Sequence, residues 1–225
     1  MIEINNLVFS WPKHPAPTLD IAKLTISQGE RIFLHGPSGS GKSTLLGLLA
    51  GINAIQAGDI KILDTQMRQL SAAKRDQFRA DHIGTIFQNF NLLPFLDPIE
   101  NVMLGCQYSK MRKSKLTQSL QQSAISLLEN LGIDHTLQAK SVSELSIGQQ
   151  QRVAAARAFI GQPELIIADE PTSALDADSR EAFIETLFNQ AEKYQATILF
   201  VSHDLSLAQL FDRKVSLNEI NGAAQ

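Results

Sequence analysis

The sequence contains one cysteine and no long apolar run. Because Cys106 is the single cysteine among 225 residues, the chain cannot form an internal disulfide, and we expect a reducing compartment. We expect Cys106 to be a buried structural thiol. No apolar segment approaches the ~18 residues that cross a bilayer, and the first residues lack the basic and apolar regions of a secretory signal. Any membrane contact is therefore expected to pass through a partner.

An excess of charge of one sign is also missing. The net charge at pH 7 is −3, from 20 Lys and Arg against 23 Asp and Glu, so no overall attraction to nucleic acid is expected. Apolar residues make up 44% of the chain, which is ordinary for a globular protein with a substantial core. We expect one large domain, which can include a subdomain, and no nucleic-acid partner.

Strand and helix patterns alternate along the chain. Strands are predicted at residues 2–11, at 19–26 with a break near Lys23, and at 30–35, 58–63, 164–170 and 197–203. Helices are predicted at 42–51, 71–79, 116–131, after Gly148 and around 183–191. The proline-rich segment 12–18 is predicted to be a turn, and residues 214–225 to be strand-like with an Asn-Gly turn. This alternation is typical of an α/β fold.

The segment GPSGSGKST, residues 36–44, matches the phosphate-loop pattern G-x-x-x-x-G-K-[ST]. It lies between a predicted strand and a predicted helix, which favours this interpretation over an ordinary glycine-rich turn. Glycines let the backbone bend around phosphate oxygens, and backbone N–H groups bind those oxygens. We expect Lys42 to reach the β- and γ-phosphates and the Ser43 hydroxyl to ligate Mg²⁺. The other predicted nucleotide contacts are Gly36, Pro37, Ser38, Gly39, Ser40, Gly41 and Thr44.

Polar residues end two further apolar strands. Asp169, in LIIADE, can hold the Mg²⁺ shell through water, and Glu170 can orient or deprotonate an attacking water. His203, in ILFVSH, is expected to contact the γ-phosphate. Ligands bind at the carboxyl ends of strands in open parallel sheets, so these residues and the phosphate loop should gather there. The alternatives are solvated acids and a structural histidine.

A second anion-ready helix start lies far beyond the phosphate loop. The segment SVSELSIGQQQRVAAARA, residues 141–158, reads as a loop that ends at a serine and a glycine and continues as a helix. The first N–H groups of such a helix can hold an anion. Two such helix starts in one chain, for one nucleotide, require an explanation.

Six motifs in order resemble those of the ATP-binding cassette (ABC) transporter ATPases. They are the phosphate loop at 36–44, Gln88 in IFQNFNLLP, LSIGQ at 145–149, LIIADE at 165–170, SALD at 173–176 and His203. The resemblance implies a P-loop NTPase (RecA-like) α/β core with an N-terminal antiparallel β subdomain and an inserted α-helical subdomain. It predicts a single ABC ATPase domain over residues 1–225. Residues 1–88 and 156–225 would form the α/β core, and about 89–155 the helical subdomain.

The resemblance also explains the second helix start. It implies that two copies of the chain bind two ATP molecules head to tail, with the signature segment of one copy closing over the phosphate loop of the other. Ser146, the N–H of Gly148 and Gln149 would then contact the partner copy's nucleotide. The family's usual signature is L-S-G-G-Q, and Ile147 replaces its first glycine. We therefore predict an ordinary backbone conformation at Ile147, which a β-branched side chain tolerates.

The remaining site residues are assigned by the same resemblance. Gln88 would sense Mg²⁺ and the γ-phosphate, and would form the metal site with Ser43 and Asp169. Asp176 resembles the aspartate that faces the partner copy, and it is equally an N-cap for the helix that follows; the two roles are compatible. Trp11 occupies the place of an adenine-stacking aromatic, and the alternative is a core or edge-strand residue.

The implied activity is hydrolysis of ATP to ADP and phosphate, coupled to transport by integral-membrane permease subunits. The apolar segment 89–105 would receive a short helix of the permease, or would pack within the helical subdomain. The segment HIGTIFQNFNLLPFLDPIENVML further resembles the branch that serves lipoprotein release and macrolide export. That branch implies export or extraction of a lipoprotein, peptide or drug-like substrate from the cytoplasmic face of the inner membrane. The sequence shows no long C-terminal regulatory extension, so we do not expect a regulated importer of sugars or amino acids.

Three other functions remain as alternatives. A soluble ABC ATPase of DNA repair or translation typically has tandem cassettes or long inserted coiled coils, and the sequence shows neither. A cell-division-type ABC ATPase would signal across the membrane instead of transporting. A small-molecule kinase would need an acceptor site and a lid in place of the signature and SALD segments.

Overall fold

The computed structural model describes residues 1–12 and 16–224. The strands, in chain order, are β1 (Ile2–Phe9), β2 (Leu19–Ile26), β3 (Arg31–His35), β4 (Ala57–Ile62), β5 (Thr65–Gln66), β6 (Ile83–Ile86), β7 (Leu165–Asp169), β8 (Thr197–Val201) and β9 (Arg213–Ser216). The helices are α1 (Lys42–Leu49), α2 (Ala72–His82), α3 (Pro98–Gln107), α4 (Lys110–Ser114), α5 (Leu120–Asn130), α6 (His135–Gln138), α7 (Ile147–Phe159), α8 (Ala177–Tyr194) and α9 (Leu217–Ile220). The turn predicted at 12–18 falls partly on residues 13–15, which lie outside the described residues.

The chain forms two compact units. The first contains Met1–Arg79 and Thr197–Gln225, and the second contains Ala80–Ala196. The segment predicted as helical, about 89–155, lies within the second unit. No helix in the described parts of the chain combines the length and the apolar character that a bilayer crossing requires.

The first unit begins with an antiparallel sheet of strand order β2-β1-β4-β5. Ile2 and Ile4 are buried while Glu3 and Asn5 are exposed, because alternate side chains of a strand point to opposite faces. The predicted break near Lys23 is wrong. Strand β2 continues through Lys23, which pairs with Asn5 of β1.

A parallel set of strands completes the core of this unit. Strand β3 pairs with β8 on one side and with β9 on the other, and Leu34 is opposite Val201. All five residues of β8 are buried, as expected for strands covered on both faces. The phosphate loop and His203 therefore follow the carboxyl ends of two adjacent strands, β3 and β8.

The last part of the chain departs from the sequence prediction. Only Arg213–Ser216 forms a strand, while Leu217–Ile220 forms the short helix α9. Asn221 then forms an isolated antiparallel bridge with Ile21 of β2. This long-range pairing overrides the local alternation of apolar residues, on which the prediction of a longer strand depended.

The second unit combines a parallel strand pair with packed helices. Strand β6 runs parallel to β7, and Ile83 is opposite Leu165. Helices α3, α5 and α7 pack against one another through a core that includes Val102, Leu128 and Val153. Cys106 of α3 is buried, and burial raises the pKa of its thiol, in agreement with a structural role.

Helix α5 begins later than predicted. Its first residue is Leu120, and the hydroxyl of the N-cap Ser119 accepts a hydrogen bond of 3.2 Å from the backbone N–H of Gln122. The prediction placed the start at Leu116 because apolar spacing continued backwards from the helix. The serine N-cap fixes the start instead, because its hydroxyl binds a backbone N–H that has no partner within the helix.

Candidate functional site

The predicted phosphate loop connects β3 to α1. Gly39 and Gly41 have φ values of 80° and 98°, a region that residues with a side chain rarely adopt. Gly41 is the N-cap of α1, and the first N–H groups of a helix have no partner within the helix. The loop thus has the backbone conformation and the helix start that phosphate binding requires.

Lys42 lies buried within this loop. Its ammonium group donates to the carbonyl oxygens of Gly36, at 2.8 Å, and Pro37, at 2.9 Å. His35 directly precedes the loop. Burial and then the nearby Lys214 lower the pKa of its imidazole, which favours the neutral form of His35.

Trp11 lies beside the first turn of α1. Its indole N–H donates to the hydroxyl oxygen of Thr44, at 3.2 Å, and its ring meets Phe9 edge to face, with centroids 5.1 Å apart. The side chain nevertheless remains 41% exposed. An exposed aromatic ring next to a phosphate loop is available for stacking, and the predicted contact with adenine stays a prediction.

In the second unit, Gln88 and the two acids follow adjacent parallel strands. Gln88 lies two residues beyond β6 and is exposed. Asp169 is the last residue of β7, and Glu170 follows it with a φ of 46°. This left-handed conformation is uncommon for a residue with a side chain and is found preferentially at functional sites.

The segment after Gln88 is held by two side chains that sequence reasoning missed. The buried amide of Asn101 donates to the carbonyl oxygens of Leu93, Leu96 and Asp97, at 3.0 to 3.2 Å, and accepts from the N–H of Leu93. The guanidinium of Arg157 donates to the carbonyl oxygens of Asn91, at 2.6 Å, and Phe90. Both residues lie in segments noted in the sequence, but their hydrogen-bond partners are visible only in the fold.

The signature segment forms the capped start of α7. The hydroxyl of Ser146 accepts from the N–H of Gln149, at 3.3 Å, and the Gln149 side chain accepts from the N–H of Ser146, at 2.9 Å. This is a capping box. Ile147 is the first helical residue and is absent from the positive-φ positions. The predicted ordinary backbone conformation at Ile147 is confirmed, and its side chain is 52% exposed.

Asp176 caps the start of α8. Its carboxylate accepts from the N–H of Ser179, at 2.9 Å, and this hydrogen bond lowers the pKa of Asp176. The N-cap role is thus confirmed, while contact with a partner copy stays a prediction. The first turns of α7 and α8 flank a cavity of about 320 Å³ that Gly148, Leu175 and Ser179 help to line. The signature and SALD segments are therefore neighbours.

The predicted residues fall into two groups. Within the first unit, the phosphate loop connects β3 to α1, Trp11 follows β1, and His203 follows β8. Within the second unit, Gln88, Asp169 and Glu170 stand at the ends of paired strands, and Ser146, Gly148 and Asp176 stand at helix starts. Ser43 of the first unit offers a hydroxyl oxygen, and Gln88 and Asp169 of the second unit offer amide and carboxylate oxygens; each is a ligand type that Mg²⁺ accepts.

Comparison with known proteins identifies the family. The family model described as ABC transporter matches residues 19–173, which is more than half of the chain. The chain belongs to the ABC transporter family. The sequence is 37% identical over 213 residues to the uncharacterized ABC transporter ATP-binding protein YbbA of Escherichia coli K12, covering 95% of this chain and 90% of YbbA.

Other relatives of this ABC transporter chain have more specific names. It is 39% identical over 194 residues to the lipoprotein-releasing system ATP-binding protein LolD of Psychrobacter arcticus, covering 86% of this chain and 84% of LolD. It is 38% identical over 196 residues to the bacitracin export ATP-binding protein BceA of Halalkalibacterium halodurans, covering 87% of this chain and 76% of BceA.

A solved structure of an ABC cassette matches the fold. The dimeric, post-hydrolysis ATP-binding cassette MJ0796 with ADP and Pi superposes with a TM-score of 0.83 and is 30% identical, covering 96% of this chain and 94% of that one. The predicted fold class, an α/β P-loop core with an antiparallel β subdomain, is confirmed. The chain is the ATP-binding, ATP-hydrolysing subunit of an ABC transporter, as the motifs implied.

Proposed function

We propose that two copies of this chain bind two ATP molecules head to tail. The phosphate loop of one copy and the start of α7 of the other would then enclose each nucleotide. ATP would favour the closed dimer, and hydrolysis would release it, because a ligand shifts an equilibrium towards the state that it binds more tightly. The dimeric state of the related cassette MJ0796 supports this proposal.

The observation that carries the proposal is the open surface at the start of α7. A methyl group added to Gly148 would meet no atom within 4 Å, and the φ of Gly148 is not in the positive range. Neither packing within the chain nor backbone conformation requires glycine here. Ser146, two residues earlier, is exposed. An open glycine at an exposed helix start suits the close approach of an anion carried by another molecule.

Hydrolysis would proceed by in-line attack of water on the γ-phosphate, with ADP as the leaving group. Lys42 and the N–H groups of the loop would bind the phosphate oxygens. Glu170 would orient the water and accept its proton, and His203 would contact the γ-phosphate. These roles are supported by the position of each residue at a strand end or a helix start.

The donor set of Ser43, Gln88 and Asp169 fits Mg²⁺. Magnesium prefers hard oxygen ligands and keeps several waters, so one carboxylate with one hydroxyl and one amide oxygen is a suitable protein contribution. Ser43 and Gln88 are exposed, which leaves their oxygens accessible. When bound, Mg²⁺ supplies positive charge to the phosphate oxygens.

We further propose that the segment after Gln88 docks on an integral-membrane permease. Phe95 of this segment is 78% exposed, and Phe87, directly before Gln88, is 38% exposed, although large apolar groups are usually buried. The backbone of residues 93–97 is fixed by the buried Asn101. A rigid segment that presents aromatic rings is suited to receive a short apolar helix. The chain would then be a peripheral protein at the cytoplasmic face of the inner membrane.

The proposed transport is export or extraction of a lipoprotein, peptide or drug-like substrate from the cell envelope. Support comes from the relatives named for lipoprotein release and bacitracin export, at 38 to 39% identity.

A mixing experiment tests the composite site. Gly148→Asp should fold, because the site is open and a carboxylate suits a helix start, but its charge would repel the partner copy's nucleotide. Lys42→Ala would impair the other half of the site. Each variant alone should lose ATPase activity. Mixed, they should regain activity, because a mixed dimer contains one intact site.

Two controls accompany the mixing. Gly148→Asn has nearly the same size without charge and should keep more activity than Gly148→Asp. Either variant mixed with more of the same variant should show no increase in ATPase activity. If Gly148→Asp alone retained full activity, or if the mixture stayed inactive while both variants formed mixed dimers, the proposed head-to-tail site would be wrong.

A further inference from the structure

We infer that Asn221 is a positioning residue of the phosphate loop, and that its side-chain amide fixes the peptide group between Ser40 and Gly41. The inference rests on the proposed role of this loop in binding ATP. None of the six nucleotide-site motifs includes Asn221, and it lies 181 residues from Ser40.

Asn221 is 2% exposed and all of its polar atoms are used. Its NH₂ group donates to the carbonyl oxygens of Thr18, at 3.0 Å, and Ser40, at 3.3 Å. Its side-chain oxygen accepts from the N–H groups of Asp20, at 2.7 Å, and Ala223, at 3.2 Å. One side chain thus ties the phosphate loop to β2 and to the residues that precede it.

The hydrogen bond to Ser40 controls the direction of an N–H group. The peptide bond is planar and trans, so the carbonyl of Ser40 and the N–H of Gly41 point in opposite directions. Holding the oxygen towards Asn221 therefore aims the N–H of Gly41 to the other side of the loop. Gly41 is the N-cap of α1, so this N–H belongs to the group proposed to bind phosphate.

The loop needs such an external restraint. Gly39 and Gly41 flank Ser40, and glycine populates positive and negative φ with similar ease. The two glycines have no side chains of their own to restrict the backbone on either side of Ser40. The hydroxyl of Ser40 is buried without a hydrogen-bond partner among the described residues, so the Ser40 side chain supplies no polar restraint. The hydrogen bond from the Asn221 side chain to the carbonyl oxygen of Ser40 supplies this restraint.

Calorimetric titration of Asn221→Ala with ADP and ATP tests the inference. We expect binding to weaken by about threefold to tenfold, the effect of one lost neutral hydrogen bond. The matched control is Thr197→Val. It removes another partly buried hydrogen bond of the same unit, from the N–H of Gly29 at 2.9 Å, at a residue outside the loop. Both variants should lower the melting temperature, but only Asn221→Ala should lower nucleotide affinity.

A second variant keeps the test usable if the alanine variant unfolds. Asn221→Asp retains an acceptor for the N–H of Asp20 and loses the donors, so it should also weaken ADP binding. Normal affinity in both Asn221 variants would overturn the inference. Lys42→Ala distinguishes this failure from failure of the proposed function: if Lys42→Ala also binds normally, the phosphate-loop assignment itself is wrong.

Discussion

The guanidinium of Arg157 donates a hydrogen bond of 2.6 Å to the carbonyl oxygen of Asn91. It also donates to the carbonyl oxygen of Phe90, and both acceptor residues have positive φ, 59° at Phe90 and 48° at Asn91. Helix α7, which carries the signature at its start, is thereby joined near its end to the segment after Gln88. One side chain stabilises an unfavourable backbone conformation there.

Replacement of Arg157 by Met should therefore destabilise the protein. Two carbonyl groups lose their partner, and the expected loss is about 2 kcal/mol in the free energy of unfolding by urea. Hydrogen exchange should also increase in residues 90–97. Arg157→Lys is the control: it keeps the charge but cannot form the planar fork, so it should recover part of the loss. Unchanged exchange in Arg157→Met would show that the segment is held without this contact.

Replacement of Glu170 by Gln should separate binding from hydrolysis. The glutamine side chain cannot accept the proton of the attacking water, so we expect turnover to fall by at least about 10²-fold. ATP binding should persist, and the ATP-bound dimer should accumulate in size-exclusion chromatography. Glu181→Gln, at an exposed position of α8, is the control and should hydrolyse normally. Full turnover by Glu170→Gln would refute the proposed role.

Ile147→Gly, which restores the family's usual residue, should affect dimerisation more than folding. The Ile147 side chain is 52% exposed, so little buried surface within the chain is lost. If this end of α7 faces the partner copy, the isoleucine is buried on closing and contributes about 1 kcal/mol per copy. The ATP-bound dimer of Glu170→Gln should therefore have a higher dissociation constant when Ile147→Gly is added. Tighter association would mean that Ile147 hinders closing.

Glu164 should make the stability of the folded protein depend on pH in the acid range. Burial raises its pKa, but hydrogen bonds from His82 and Lys115 outweigh burial and lower the pKa from 4.5 to about 2. The carboxylate lies 3.0 Å from His82 Nδ1 and 2.8 Å from Lys115 Nζ. A depressed folded pKa stabilises the protein above the unfolded pKa, and this stabilisation is lost as the pH falls from about 5 towards 2.

The measurement compares Glu164→Gln with the unchanged chain in urea at several pH values. At pH 7 the variant should be less stable by an amount of the order of 2 kcal/mol. The difference should shrink as the pH falls below 5, because the unchanged chain loses the ionic contacts that the variant already lacks. A difference that is constant with pH would mean that the ionised form of Glu164 contributes nothing.

Local chemistry explains which features the sequence predicted. The start of α7 was predictable because Ser146 and Gln149 form a capping box within four residues. The strands before the phosphate loop and before Asp169 were predictable because they are short, buried and apolar. These signals are contained in a few neighbouring residues, so they do not depend on the rest of the fold.

Features that depend on distant partners were not predictable. The helix of residues 217–220 was predicted as a strand because nothing nearby indicates that Asn221 pairs with Ile21. The functions of Asn101 and Arg157 likewise depend on which carbonyl groups the fold brings to them. An amide or guanidinium in the sequence has no visible partner until the chain is folded.

Trp11 gives this protein an internal optical reporter. It is the sole tryptophan of the chain, and its indole N–H is bound to Thr44 at the edge of the phosphate loop, while the ring stays open to solvent. The emission of the whole protein excited at the indole band therefore originates from one ring beside the phosphate loop. We therefore expect loading and release of ATP to change the fluorescence of the unlabelled chain, on the timescale of a single turnover.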